Sequence, residues 1–121
     1  MNKKIWIIED DPDIRDVISF LLQEEGHEVR LFENATLFKA ALTENNNPDL
    51  FLMDVMLPDG NGLDLCEQVV KKDDLLKDIP IIIMSAHIGL AKFKQVSSAD
   101  DFIPKPFDIN TLLEKVDKLL S

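Results

Sequence analysis

The sequence predicts a single α/β domain, a doubly wound five-stranded parallel sheet with five helices distributed over both faces. Three observations carry that expectation. Short Ile-rich runs that do not alternate with polar residues mark strands buried on both sides. Each run is followed by a stretch with apolar residues at helical spacing. The 121 residues, 45% of them apolar and 30% charged, suit one hydrophobic core and leave little room for two.

Taken in order, Ile5 to Ile8 form the first strand, and Ile14, Val17, Ile18, Leu21 and Leu22 mark one apolar face of a helix that Gly26 ends. His27 to Phe32 read as an outer strand, followed by a second helix carrying Leu37, Phe38, Ala41 and Leu42. Leu50 to Met53 form the third strand, with Leu63, Cys66, Val69 and Val70 on the helix after it. Ile79 to Met84, interrupted only by Pro80, form the fourth. A fourth helix is needed between Ser85 and Asp100, although its pattern (Leu90, Phe93, Val96) is thin and predicts a short or irregular element. Asp101 to Ile103 read as the other outer strand, and Ile109, Leu112, Leu113, Val116, Leu119 and Leu120 form the clearest helical stripe. Strand then helix, five times over, requires right-handed crossovers, and such sheets bind ligands beyond the carboxyl ends of their strands.

Composition excludes several functions. Thirteen Lys and Arg against 23 Asp and Glu leave a net charge of -10, which repels phosphate backbones and anionic lipid, so no direct nucleic-acid or membrane binding is expected. Cys66 is the only cysteine, which rules out an internal disulfide or a Cys-based zinc site. The apolar run after Met1-Asn2-Lys3-Lys4 is too brief for a signal peptide or a membrane span, and the expected location is the cytoplasm.

The chemistry lies at the strand ends. The first strand runs into Glu9-Asp10-Asp11 and the third into Asp54, so three or four carboxylates converge if these strands are neighbours. At about 5 Å and an effective dielectric of about 20, each like-charge pair repels by roughly 3 kcal/mol. Such a cluster raises a pKa or recruits a cation. Any one of these acids alone reads as a solvated group or a helix cap, but three at two strand ends favour a cation site. Hard oxygen ligands suit Mg²⁺, with Mn²⁺ able to take the same set; neither Asp11 to Asp16 nor Asp59 to Asp64 carries the Gly and Glu of a calcium loop. The fourth strand ends in Ser85-Ala86, a small hydroxyl donor. After the fifth comes Lys105 between Pro104 and Pro106, a point charge on stiff backbone, with Lys105-Pro106 a candidate cis peptide. Carboxylate, cation, hydroxyl and ammonium together suit phosphoryl transfer to an Asp nucleophile.

Four segments in this order resemble the receiver domain of two-component response regulators: Ile7-Ile8-Glu9-Asp10-Asp11-Pro12, Leu52 to Gly62 around Asp54, Ile82-Ile83-Met84-Ser85-Ala86, and Ala99 to Phe107 around Lys105. The resemblance covers residues 1–121, leaves no residues for an output domain, and implies the flavodoxin-like strand order 2-1-3-4-5. It implies that Asp54 is the phosphoacceptor, that Ser85 and Lys105 contact the phosphoryl group, and that Glu9, Asp10, Asp54 and the backbone carbonyl of Met56 hold Mg²⁺. The run of three acids allows a register one residue later, and the spacing to Ile14 favours Glu9 and Asp10. The donor would be a sensor histidine kinase or a histidine phosphotransfer protein, with acetyl phosphate as a substitute. The chain would catalyse its own phosphorylation and slow dephosphorylation without being a free-standing enzyme. Phosphorylation would draw Ser85 toward the phosphoryl oxygens and Phe102 inward, altering the face made by the fourth helix, fifth strand and fifth helix. A downstream effector, an output domain outside this sequence or a second copy of the chain would read that face.

Some positions depart from the pattern. Phe102 stands where Tyr is frequent, Ser85 replaces the common Thr, and the Ser85 to Lys105 interval is about two residues short. Met56 and His87 match positions that flank the phosphoryl group in receiver domains, and the resemblance implies that they set the phosphate lifetime, an exposed loop histidine without a role being the other reading of His87. Trp6 and Cys66 read as core, and Gly60-Asn61-Gly62 as the turn into the third helix. Two rivals remain from other classes: an aspartate-based phosphatase, which needs a second Asp where Met56 stands, and a receiver-like interaction domain, which would lack Asp54, Lys105 or the acidic pair.

Overall fold

A computed structural model describes residues 3–44, 46–86 and 98–121. Strand β1 (Lys4–Ile8) buries Ile5 through Ile8 completely or nearly so. Helix α1 (Pro12–Glu24) starts where Asp11 accepts hydrogen bonds from the N–H groups of Asp13 (2.9 Å) and Ile14 (3.3 Å), with Pro12 placed where no intrahelical donor is needed. It stops at Gly26, whose φ of 89° lets the amides of Gly26 and His27 turn back to the carbonyls of Gln23 and Leu22. His27 is thereby used in the cap, and β2 begins one residue later than expected, at Glu28–Phe32.

Helix α2 (Ala35–Ala41) is capped by Asn34, and β3 (Leu50–Asp54) is buried at every position. A short antiparallel hairpin, Met56–Leu57 with Gly60–Asn61, follows Asp54 and leads into α3 (Gly62–Asp64). Over Leu65–Val70 that helix widens to a π-type turn, with the Lys71 amide bonded to the Cys66 carbonyl at 2.9 Å. Strands β4 (Ile81–Ser85) and β5 (Asp101–Pro104) precede α4 (Ile109–Leu120). Pro80 lies outside β4, since it has no N–H to give to the ladder.

The sheet order is β2-β1-β3-β4-β5 and every pairing is parallel, as the sequence predicts. One face is filled by Trp6, Phe32, Phe38, Phe51 and the α2 and α3 residues, the other by Ile5, Ile7, Ile18, Leu22, Leu112 and Val116. Four helices stand among the described residues; the helix expected between Ser85 and Asp100 falls on 87–97, outside them. Three side chains assigned to apolar helix faces are instead substantially exposed: Val17 (48%), Leu37 (48%) and Ile109 (46%). Val17 and Leu37 lie at the edges of their helical stripes, and Ile109 is the first residue of its helix.

Candidate functional site

Pairing of β1 with β3 sets Ile8 opposite Met53, so the next residues, Glu9 and Asp54, emerge side by side at the carboxyl edge. Glu9 is fully buried and Asp54 nearly so (5% exposed), while Asp10 reaches solvent. One carboxylate oxygen from each of Glu9, Asp10 and Asp54 lies within 4.8 Å of the others. Asp11 does not join them, because its carboxylate is used in capping α1. Among the described residues the carboxylates that converge are thus Glu9, Asp10 and Asp54, three acids rather than four.

On the other side of β3, Asp54 pairs with Met84, which brings Ser85 level with the site. Ser85 is 1% exposed, and Ala86 is the residue of that strand end that lines the cleft. The Lys105 amide donates to the Ser85 carbonyl at 2.8 Å, and Lys105-Pro106 is cis, as its flanking prolines suggested. The Lys105 side chain lies across the edge, where Nζ donates to Glu9 Oε1 at 2.5 Å and Asp54 Oδ2 at 2.8 Å. The Met56 amide donates to Asp54 Oδ1 at 3.2 Å.

One ammonium therefore serves two buried carboxylates, with a third beside them. Burial, together with the neighbouring Asp54 carboxyl, pushes Glu9 up to about 7 against the pull of Lys105. Burial draws the Lys105 ammonium down, but its bonds to Asp54 and Glu9 outweigh this and the net shift is upward. Glu9 is also pinned by backbone groups: its Oε2 accepts from the Asp11 amide at 3.2 Å and its own amide donates to the Phe32 carbonyl at 3.0 Å. Arg15, one turn into α1, donates to the Glu9 carbonyl at 2.8 Å.

The site opens into a cleft of about 490 Å³ rimmed by Ile14, Met56 and Pro106. Three hard carboxylate oxygens facing an open cleft are a donor set that suits a divalent cation with room for water or a phosphoryl oxygen. The Met56 side chain is 61% exposed on the rim. Phe102 is only 5% exposed and already lies inside the core cluster of Trp6, Phe51 and Ile83. His87 lies outside the described residues. Sequence reasoning missed Arg15 and Asp59, both of which brace the loops of the site through contacts whose only trace in the sequence is a polar residue near each acidic segment.

A family model described as the response regulator receiver domain matches residues 5–117. The chain belongs to that family. Receiver domains of this kind are the phosphorylation-regulated parts of two-component response regulators. Among curated proteins, the receiver domain is 35% identical over 120 residues to the DNA-binding dual master transcriptional regulator RpaA of Synechocystis, covering 97% of this chain but 48% of RpaA. It thus spans about half the length of that relative. Among solved structures, a receiver domain protein from Methanospirillum hungatei superposes with a TM-score of 0.86 at 32% identity, covering 99% of this chain and 94% of that one. TrrA of Thermotoga maritima, solved in complex with Mg²⁺ and BeF, gives 0.81 at 34% identity, covering 98% of this receiver and 99% of TrrA. No helix among the described residues is long and apolar enough to cross a membrane.

Proposed function

We propose that this receiver domain is a cytoplasmic phosphorylation switch in which Asp54 takes a phosphoryl group from a histidine of a sensor kinase or phosphotransfer protein. The observation that carries the reading is Lys105 Nζ bridging Glu9 and Asp54 where three carboxylates converge. Glu9, Asp10, Asp54 and the Met56 carbonyl would hold Mg²⁺. Bound there, the cation supplies positive charge to the phosphoryl oxygens and relieves the repulsion among the acids.

The chain's own residues then do the following. An Asp54 carboxylate oxygen attacks phosphorus, the P–N bond to the donor imidazole breaks, and the departing ring keeps the bond's electron pair and takes a proton. Lys105, already within hydrogen-bond reach of Asp54, swings its ammonium onto a phosphoryl oxygen. Ser85 closes on another, and the phosphoryl group holds Phe102 in the buried position it occupies here. The altered face of the fifth strand and its flanking helices is read by an effector, an output domain or a second copy of the chain. Met56 on the rim and His87 set the lifetime of the acyl phosphate.

The test is incubation with Mg²⁺ and acetyl phosphate followed by intact mass and peptide mapping. Native chain gains one phosphoryl group on the Asp54 peptide and Asp54→Asn gains none; a native mass that never changes overturns the reading. Met56→Asn and His87→Glu then test the lifetime assignment, which fails if neither changes the dephosphorylation rate.

A further inference from the structure

The hairpin that follows Asp54 is held at both ends by residues that the phosphorylation reading does not use. Its register pairs Met56 with Asn61 and Leu57 with Gly60, which leaves Pro58 and Asp59 as a two-residue tip. At the base, the Gly62 amide donates to the Val55 carbonyl at 2.9 Å. Gly62 packs so closely there that a Cβ on it would lie 2.0 Å from the Asp54 carbonyl oxygen, which no side chain permits.

At the tip, the Asp59 carboxylate reaches 23 residues back along the chain to α2. Its Oδ1 accepts from the Ala35 amide at 2.7 Å, and its Oδ2 accepts from the Thr36 amide at 2.9 Å and the Thr36 hydroxyl at 2.5 Å. Asn34 Oδ1 accepts from the Leu37 amide at 2.8 Å, so Asn34 and Asp59 share the free amides at the start of α2, and Asp59 does so from the hairpin rather than from the helix's own chain end. The hairpin also rests on the helix: a Cβ on Gly60 would lie 3.2 Å from that of Ala35. Helix α2 is in turn fixed by fully buried Phe38, whose ring packs on Phe51 (5.5 Å between centroids) and Trp6 (6.2 Å). A continuous path therefore runs from the aromatic core through α2 and Asp59 to the backbone of Met56.

We propose that Asp59 is a positioning residue for the cation site, fixing the Met56 backbone in its liganding conformation before the ion arrives. The inference rests on the proposed Mg²⁺ site and names what preorganises it. A hairpin free at its tip would have to be ordered on binding, and that cost would weaken affinity.

The experiment is a Mg²⁺ titration of the full chain followed by amide chemical shifts, for the native protein, Asp59→Ala, Asp59→Asn and Thr36→Val. Removing an outer group that orients a metal ligand weakens binding by about tenfold, and this loss is expected for Asp59→Ala. Thr36→Val removes one of the three bonds without changing charge, and a smaller loss in the same direction is expected. Thermal midpoints without Mg²⁺ separate this from general destabilisation: the affinity loss persists at temperatures where every variant is fully folded, and the Met56 amide is shifted before any Mg²⁺ is added. Native-like Mg²⁺ affinity in Asp59→Ala overturns the proposal. A loss in both Asp59 variants that is absent in Thr36→Val and vanishes at high salt also overturns it, as a long-range charge effect. A native chain that binds no Mg²⁺ brings down the cation reading itself, and the inference with it.

Discussion

Two ion-pair clusters in this domain use the same kinds of group to opposite ends. On the β1–β2 side, Arg30 meets Glu44 through two parallel bonds of 3.1 Å while its guanidinium lies 5.3 Å from the Trp6 ring centroid and 5.2 Å from that of Phe32. The match is one to one and open to solvent; the bond between them holds Arg30 above and Glu44 below their ordinary ranges. At the carboxyl edge, one ammonium is shared by Glu9 and Asp54, with Asp10 close by and Glu9 pushed up to about 7. The first cluster is satisfied as it stands. The second carries more negative charge than its lysine can balance, and that imbalance is what a cation and a phosphoryl group would resolve.

The largest effect should come from breaking the unbalanced cluster. Removing one partner of a buried ion pair costs about 3 kcal/mol or more. Lys105→Met should therefore lose about 3 kcal/mol of stability at pH 8 in urea denaturation without Mg²⁺. The loss should shrink near pH 6, where Glu9 carries a proton and one fewer buried charge is left unpaired. Equal losses at the two pH values would show that Glu9 and Lys105 are not linked in this way.

Next in size is the pH dependence of the native chain. Glu9 titrates at about 7 in the folded protein against an ordinary 4.5, so its contribution to stability is present below the lower value and lost as pH rises through the upper one. At the proposed Mg²⁺ site the preference would be the reverse, because the ion would take up the ionised Glu9 carboxylate. Proton competition at a pKa of about 7 predicts an apparent Mg²⁺ affinity that rises about tenfold from pH 6 to pH 8 and then levels off. Glu9→Gln should flatten that profile. A native profile that is already flat would place the proton elsewhere.

The same contrast explains what the sequence discloses. The strands were legible because buried parallel strands need apolar runs, as in Leu50 to Met53 and Ile79 to Met84, although the second starts two residues later in the structure, at Ile81. The acids at Glu9, Asp10 and Asp54 were legible because like charges at neighbouring strand ends demand a reason. The π-type turn over Leu65–Val70 was not, since it alters the helical period locally while Cys66 and Val70 stay buried in either geometry. Nor could spacing show that Lys105 would touch Glu9, 96 residues away, or that Asp59 would grip Thr36. Those contacts depend on how the elements pack, and a polar residue in a loop looks the same in sequence whether it braces a site or faces water.

The smallest effect, and the sharpest test of the comparison, belongs to the exposed pair. Glu44→Gln keeps the shape of the side chain and removes its charge, leaving Arg30 over Trp6 and Phe32. An exposed, balanced pair is screened by salt and weak in water. The variant should therefore show a slight fall in thermal midpoint at low ionic strength that vanishes at high salt, with Mg²⁺ affinity and Asp54 phosphorylation unchanged. If Glu44→Gln instead alters Mg²⁺ binding, the two clusters communicate. The route would then run through Trp6, which packs on Phe38 of α2, and so reach the Asp59 bond and the Met56 backbone. Screening tells the alternatives apart: a through-space charge effect on the Mg²⁺ site disappears with added salt, whereas a shift passed through packed rings persists.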